Sequence, residues 1–232
     1  MNNKNKYNNY FGNIASKYNL KMKSSTPIVI FLDGKDVTKS LEYNLIIENK
    51  NSFNDILEQT IKYFTKKFDC IALSGADEVS FIFENSEKLK SFMSKRKYKA
   101  HEIVSIFSQH FYKYFNDRYE KAPIYWHCKC SNIPKGKINS YIKYRSMGIF
   151  ELKLTYFLKR KQYKNAGKIT VPEKKEKCNE MADYKEVEKF ERGNLYISGE
   201  RVDLQAFLND KIIKLPEEER EEELTFLDLN SF

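Results

Sequence analysis

The sequence predicts an α+β fold of ferredoxin-like type, a mainly antiparallel sheet with helices packed on one face. Three observations predict it. Strand and helix signals follow one another as β-α-β-β-α-β, the split βαβ order. The strand signals are short apolar runs closed by glycine or an acid, whereas the helix signals are long and repeat at three- and four-residue spacing. Two of the strand runs are separated only by a Ser-Gly turn, which makes them a hairpin.

PIVIFLDG, residues 27–34, is apolar with a glycine stop and reads as a buried strand. SFNDILEQTIKYFTKKF, residues 52–68, reads as a helix with Ser52 as its N-cap and Phe53, Ile56, Leu57, Ile61 and Phe64 on its inner face. DCIALSGADEVSFIF, residues 69–83, is the hairpin. A second helix covers about 99–115, with Ile103, Val104, Phe107, Phe111 and Tyr114 inward. IYWHCKC, residues 124–130, alternates as a strand, and a long helix runs from Ser140 to about Lys164. Residues 165–193 are charged and interrupted by Gly167 and Pro172, which predicts loop and helix over the core. NLYIS, residues 194–198, is a last strand before a helical or frayed tail. With no internal repeat and no linker, residues 1–215 read as one domain and 216–232 as an acidic tail.

The acids are unevenly placed. Residues 217–232 hold six Glu and Asp228 against Arg220 alone, so residues 1–216 carry 40 bases and 25 acids, a net +15 within a chain of +9. A folded body this basic points to a polyanion, with nucleic acid the leading class; scattered solubilising lysines are the plainer reading. No apolar run approaches the ~20 residues of a membrane helix and no secretory pattern opens the chain, which predicts a cytoplasmic protein. In that setting Cys70, Cys128, Cys130 and Cys178 read as free thiols. HCKC lacks the second ligand pair of a zinc site, and its alternation puts Cys128 and Cys130 on one strand face.

Against this basic background, acids stand at the ends of apolar strands: Asp33 closes the first, and Asp77 and Glu78 sit in the hairpin turn. In a split βαβ sheet these strands are neighbours, so the three carboxylates gather although 44 positions separate Asp33 from Asp77. Gathered carboxylates repel unless cations lie among them. Two Mg²⁺ ions held by acids and a main-chain carbonyl make a phosphoryl-transfer site, and Gly34 offers a carbonyl that a cation can approach closely. Residues 77 and 78 point to opposite sides of a strand, so Asp77 is the better metal ligand and Glu78 a supporting acid. The plainer alternative is that these acids only cap turns.

FLDGKD and SGADEVSFIF resemble the two metal-binding motifs of the tRNA(His) guanylyltransferases and their bacterial and archaeal relatives, the 3′–5′ RNA polymerases. YFGNIASKYN is similar to the family's N-terminal helix and SKRKYKAHEIVSIFSQHF to its basic helix after the hairpin. INSYIKYRS stands where the family has Y-x-x-W-R-Q, and KCNEM with FERGNLY is similar to its closing motifs. The resemblance covers most of the chain in register. It implies a polymerase palm that adds nucleotides to the 5′ end of tRNA or a related RNA. A 5′-monophosphate is first activated with ATP, then attacked by the 3′-hydroxyl of an incoming nucleoside triphosphate. Carried over, Asp33, Asp77 and Glu78 are catalytic, and Asp33, the Gly34 carbonyl and Asp77 bind two Mg²⁺ ions. Lys35, Asp36, Ser74, Gly75, Ala76, Arg96 and Lys99 contact ATP or GTP, the last two as a triphosphate clamp on one helix face. Lys143, Arg145 and Lys153 contact RNA, and the family's assembly implies a homo-tetramer.

Some positions depart from the family pattern. Asp36-Val37-Thr38 replaces an aromatic and a histidine, Ser146-Met147-Gly148 follows Arg145, and Leu152-Lys153 replaces an asparagine pair. These positions touch nucleotide and RNA in relatives, which implies an altered choice of base or RNA. Two other readings accompany this one: a degenerate palm that binds RNA without catalysis, and a palm enzyme that makes nucleotide signals.

Overall fold

A computed structural model describes residues 22, 25–35, 37, 50–75, 77–84, 86–91, 100–119, 123–181 and 193–213. The expected N-terminal helix, the acidic tail, and Asp36, Ala76, Arg96 and Lys99 lie outside the described residues. The elements in chain order are β1 (Ile28–Gly34), α1 (Lys50–Phe68), β2 (Ile71–Gly75), β3 (Glu78–Phe83), a 3-10 turn (Ser86–Ser91), α2 (Ala100–Asn116) and β4 (Trp126–Asn132). Then come α3 (Ile138–Arg160), α4 (Val171–Met181), β5 (Asn194–Ile197), β6 (Glu200–Val202) and α5 (Leu204–Ile213).

The strands form one sheet in the order β4-β1-β3-β2-β5-β6, every pairing antiparallel. The first four strands have the ferredoxin-like order, with β5 and β6 added beyond β2. Strand alternation divides the side chains between two faces. Ile28, Ile30, Leu32, Ala72, Phe81 and Phe83 face α1 and α2, and Phe53, Phe64, Phe107, Phe111 and Phe115 fill the space between. Phe64 alone meets Phe68, Phe107 and Phe111 edge-on at 5.3–5.4 Å. The abundance of phenylalanine is therefore mostly core material, with edge-to-face packing that favours one arrangement of rings.

The sequence placed helices on one face of the sheet; the other face is covered as well. Val29, Ile71, Leu73, Ile82 and Leu195 are covered by Tyr141, Ile142 and Ile149 of α3 and Leu208 of α5. Helices thus lie on both faces, because β1–β3 present apolar residues on each side. Two boundaries also differ from expectation. Helix α1 begins at Lys50, which puts Ser52 inside its first turn rather than at the cap. Strand β6 was not anticipated; it forms because Ser198 and Gly199, at φ 53° and 88°, make a two-residue turn that folds Glu200 back onto Ile197.

The cysteines are unpaired: Cys70, Cys130 and Cys178 are buried and Cys128 half-buried. Burial pushes the Cys130 thiol up to about 12 and Cys128 higher, so both stand as protonated core residues.

Candidate active site

The site is built at one end of the central strands. In the β1–β3 register Asp33 lies directly opposite Glu78, and in the β1–β4 register it lies opposite His127. Directly opposed residues share a face, so Glu78 stands beside Asp33 across the β1–β3 pairing. Asp77 occupies the turn one step earlier. Its carbonyl accepts the Gly34 N–H at 3.0 Å, which fixes the hairpin turn against the end of β1.

Gly34 is confined. A Cβ there would meet Val37 Cγ2 at 2.7 Å and the Asp77 Cβ at 3.4 Å. The Gly34 carbonyl accepts a long hydrogen bond, 3.5 Å, from the Val37 N–H. Asp33, Asp77 and this carbonyl therefore form a compact set of oxygen donors.

Helix α3 lays a line of residues, four apart, across the same face. Tyr141 is hydrogen-bonded to Ser80 at 3.1 Å, the Arg145 guanidinium donates to the Glu78 carboxylate, and Ile149 rests on Gly75. A Cβ on Gly75 would come within 2.3–2.8 Å of three Ile149 carbons, so glycine is what lets the helix descend to the acids. The Arg145 guanidinium also covers the Phe31 ring at 4.5 Å. Its Nε is buried and has no partner among the described residues.

All three carboxyls hold protons more tightly than usual. Burial is the main cause for each, and it pushes Asp77 up to about 7, with the charge of Asp33 adding to the effect. Asp33 is raised by burial and eased by His127, Lys129 and Arg145. Glu78 is raised by burial against the pull of Arg145. Among the described residues no cation is ion-paired with Asp33 or Asp77.

Hard oxygen donors and unmet negative charge are what Mg²⁺ accepts. Among the described residues no three His, Cys, Asp or Glu side chains form a metal-holding group. Two carboxylates and a carbonyl still suit an ion that completes its shell with water and substrate phosphates.

The remaining expected positions divide. Lys35 is exposed beside the site, its N–H donating to the Tyr125 carbonyl at 2.7 Å. Ser74 is buried and hydrogen-bonded to Tyr196, on the sheet face opposite that of Asp33 and Glu78. Lys143 is fully buried and is not the solvent-facing base that an RNA contact requires. Lys153 is half-buried on α3. Arg145, expected on an RNA surface, stands inside the acid cluster. That role was not read from the sequence; the four-residue spacing of Tyr141, Arg145 and Ile149 was its available signal.

An antiparallel sheet of ferredoxin-like order, with carboxylates at the junction of β1 and the β2–β3 hairpin, defines a palm-type nucleotidyltransferase architecture. The tRNAHis guanylyltransferase family model matches residues 9–134, more than half of the chain, and the chain belongs to that family, whose members are nucleotidyltransferases. A bacterial tRNA(His) guanylyltransferase-like protein in complex with GTP superposes with TM-score 0.53 at 13% identity, over 83% of this chain and 84% of that one. A bacterial guanylyltransferase-like protein in complex with ATP gives 0.57 at 12%, over 82% and 86%. The tRNA(His) guanylyltransferase of Saccharomyces cerevisiae gives 0.51 at 16%, over 79% and 90%. At these identities the likeness is one of fold. No curated protein matches the sequence.

Proposed function

We propose that this protein is a metal-dependent nucleotidyltransferase that extends the 5′ end of tRNA or a related RNA in the 3′–5′ direction, with ATP and GTP as substrates. One observation carries the reading: three carboxyls with raised proton affinity, Asp33, Asp77 and Glu78, gather at one sheet end in a member of a nucleotidyltransferase family.

Asp33, Asp77 and the Gly34 carbonyl would hold two Mg²⁺ ions, which would supply charge neutralisation for the carboxylates and for the oxygens of phosphoryl transfer. Asp77 must lose its proton to serve as a ligand, so its raised pKa of about 7 in the cation-free protein favours cation binding at neutral and higher pH. Arg145 orients the Glu78 carboxylate and opposes the rise in its pKa that burial causes. Lys35, exposed at the end of β1, supplies a further cation to the nucleotide. Arg96 and Lys99 act as the triphosphate clamp.

Labelled nucleoside triphosphates and a 5′-truncated tRNA test the proposal with variants. Asp33→Asn and Asp77→Asn are expected to abolish incorporation while RNA affinity is retained, and Glu78→Gln to reduce it less. Near-normal incorporation by Asp77→Asn in Mg²⁺ would overturn the assignment.

A further inference from the structure

The segment leading into and along β4 presents Tyr125, His127 and Lys129 outward at every second position, while Trp126 and Cys130 turn into the core. Tyr125 is 61% exposed. One side of its ring leans on Tyr112, with centroids 5.6 Å apart and planes at 28°. Its carbonyl holds the Lys35 N–H at 2.7 Å, which ties it to the loop that follows Asp33. His127 is the register partner of Asp33, and Lys129 that of Phe31. Strand β4 lies at the end of the sheet, so among the described residues its outer edge has no neighbouring strand.

We propose that this strip is the track on which the single-stranded 5′ end of the RNA lies, with Tyr125 stacking a base and His127 and Lys129 contacting phosphates. The inference rests on the 5′-end reaction proposed above. An acid-lined site repels an RNA strand unless a cation flanks its entrance; Lys129 is a cation whose charge reaches Asp33, and His127, opposite Asp33, offers a ring N–H. Interleaved aromatic and basic residues are what sequence-tolerant binding of single strands uses. The expected alternatives face elsewhere, since Lys143 is buried and Arg145 is held by Glu78.

The test is RNA affinity across a salt series, by anisotropy of a labelled tRNA bearing a single-stranded 5′-monophosphate end, with ATP and GTP affinity measured in parallel. Tyr125→Ala is expected to weaken RNA binding roughly five- to a hundredfold, the worth of one base–aromatic stack. Lys129→Gln is expected to flatten the log affinity–log salt slope by about 0.7, the share of one single-strand phosphate contact. Neither change is expected to alter ATP or GTP affinity. Lys67→Gln, which removes the same charge from the exposed side of α1, is expected to leave RNA affinity and slope unchanged. Wild-type RNA affinity in both Tyr125→Ala and Lys129→Gln would overturn the track alone. So would equal losses of RNA and nucleotide affinity, or a matching effect of Lys67→Gln. A wild-type protein without RNA affinity would overturn the 5′-end reaction and the track together.

Discussion

Asp77 carries a carboxyl whose chemistry differs from that of its free side chain. Its carboxyl, ordinarily ionised above pH 3.8, holds its proton up to about pH 7. Between those values the folded protein binds more protons than the unfolded chain, so stability falls as pH rises through that window. The cation-free protein is therefore expected to melt at a higher temperature at pH 5 than at pH 8. Asp77→Asn is expected to flatten the dependence and raise the melting temperature at pH 8. Calorimetry at the two pH values in a chelating buffer checks this; an unchanged pH dependence in the variant would assign the effect elsewhere. Arg145 makes the opposite case. Its removal leaves the Glu78 carboxylate buried without its cation, and Arg145→Met is expected to cost about 3 kcal/mol by urea denaturation. A double change of both residues to Met is expected to regain most of that. The gathering of Asp33, Gly34, Asp77 and Glu78 was legible in the sequence because strand-end acids and a split βαβ order fix it. The Arg145 contact was not, because it joins residues 67 apart in the chain across a helix–sheet interface.

Among the elements, α3 has the most exacting seat. Gly75 admits Ile149 where any Cβ would collide with it, so Gly75→Ala is expected to destabilise the fold by about 1–3 kcal/mol. Ile149→Ala returns the missing space, and the double variant is expected to be more stable than the sum of the single losses, by the urea midpoint. Strict additivity would mean that the helix already rides clear of β2. This seat was not legible: apolar spacing tells that a helix buries a face, but not which strand it meets. The same limit explains the one-sided sheet that the sequence predicted. Smaller features did carry local signals. Thr170 and Glu173 cap α4 reciprocally, with the Thr170 N–H and hydroxyl donating to the Glu173 carboxylate at 2.6 and 2.7 Å. Pro172 lies in that first turn, where proline is tolerated, so it does not break the segment as its presence suggested. The Ser-Gly pair at 198–199 is likewise a hairpin signal and was passed over, whereas the pair at 74–75, expected as a turn, lies inside β2 opposite Val79 and Glu78.

For the whole molecule, charge and fold point the same way. A body of net +15 is expected to bind RNA with an affinity that falls steeply with salt, as counterions return to the phosphates. A flat response between two salt concentrations would remove RNA as the partner. The measurement that most directly tests the account is transfer of a labelled nucleotide to a 5′-truncated tRNA by the wild-type protein, with Mg²⁺ and with a chelator. The account predicts an RNA lengthened at its 5′ end in Mg²⁺ and none in the chelator. Equal product under both conditions, or a labelled small molecule formed from the triphosphate without RNA, would contradict it.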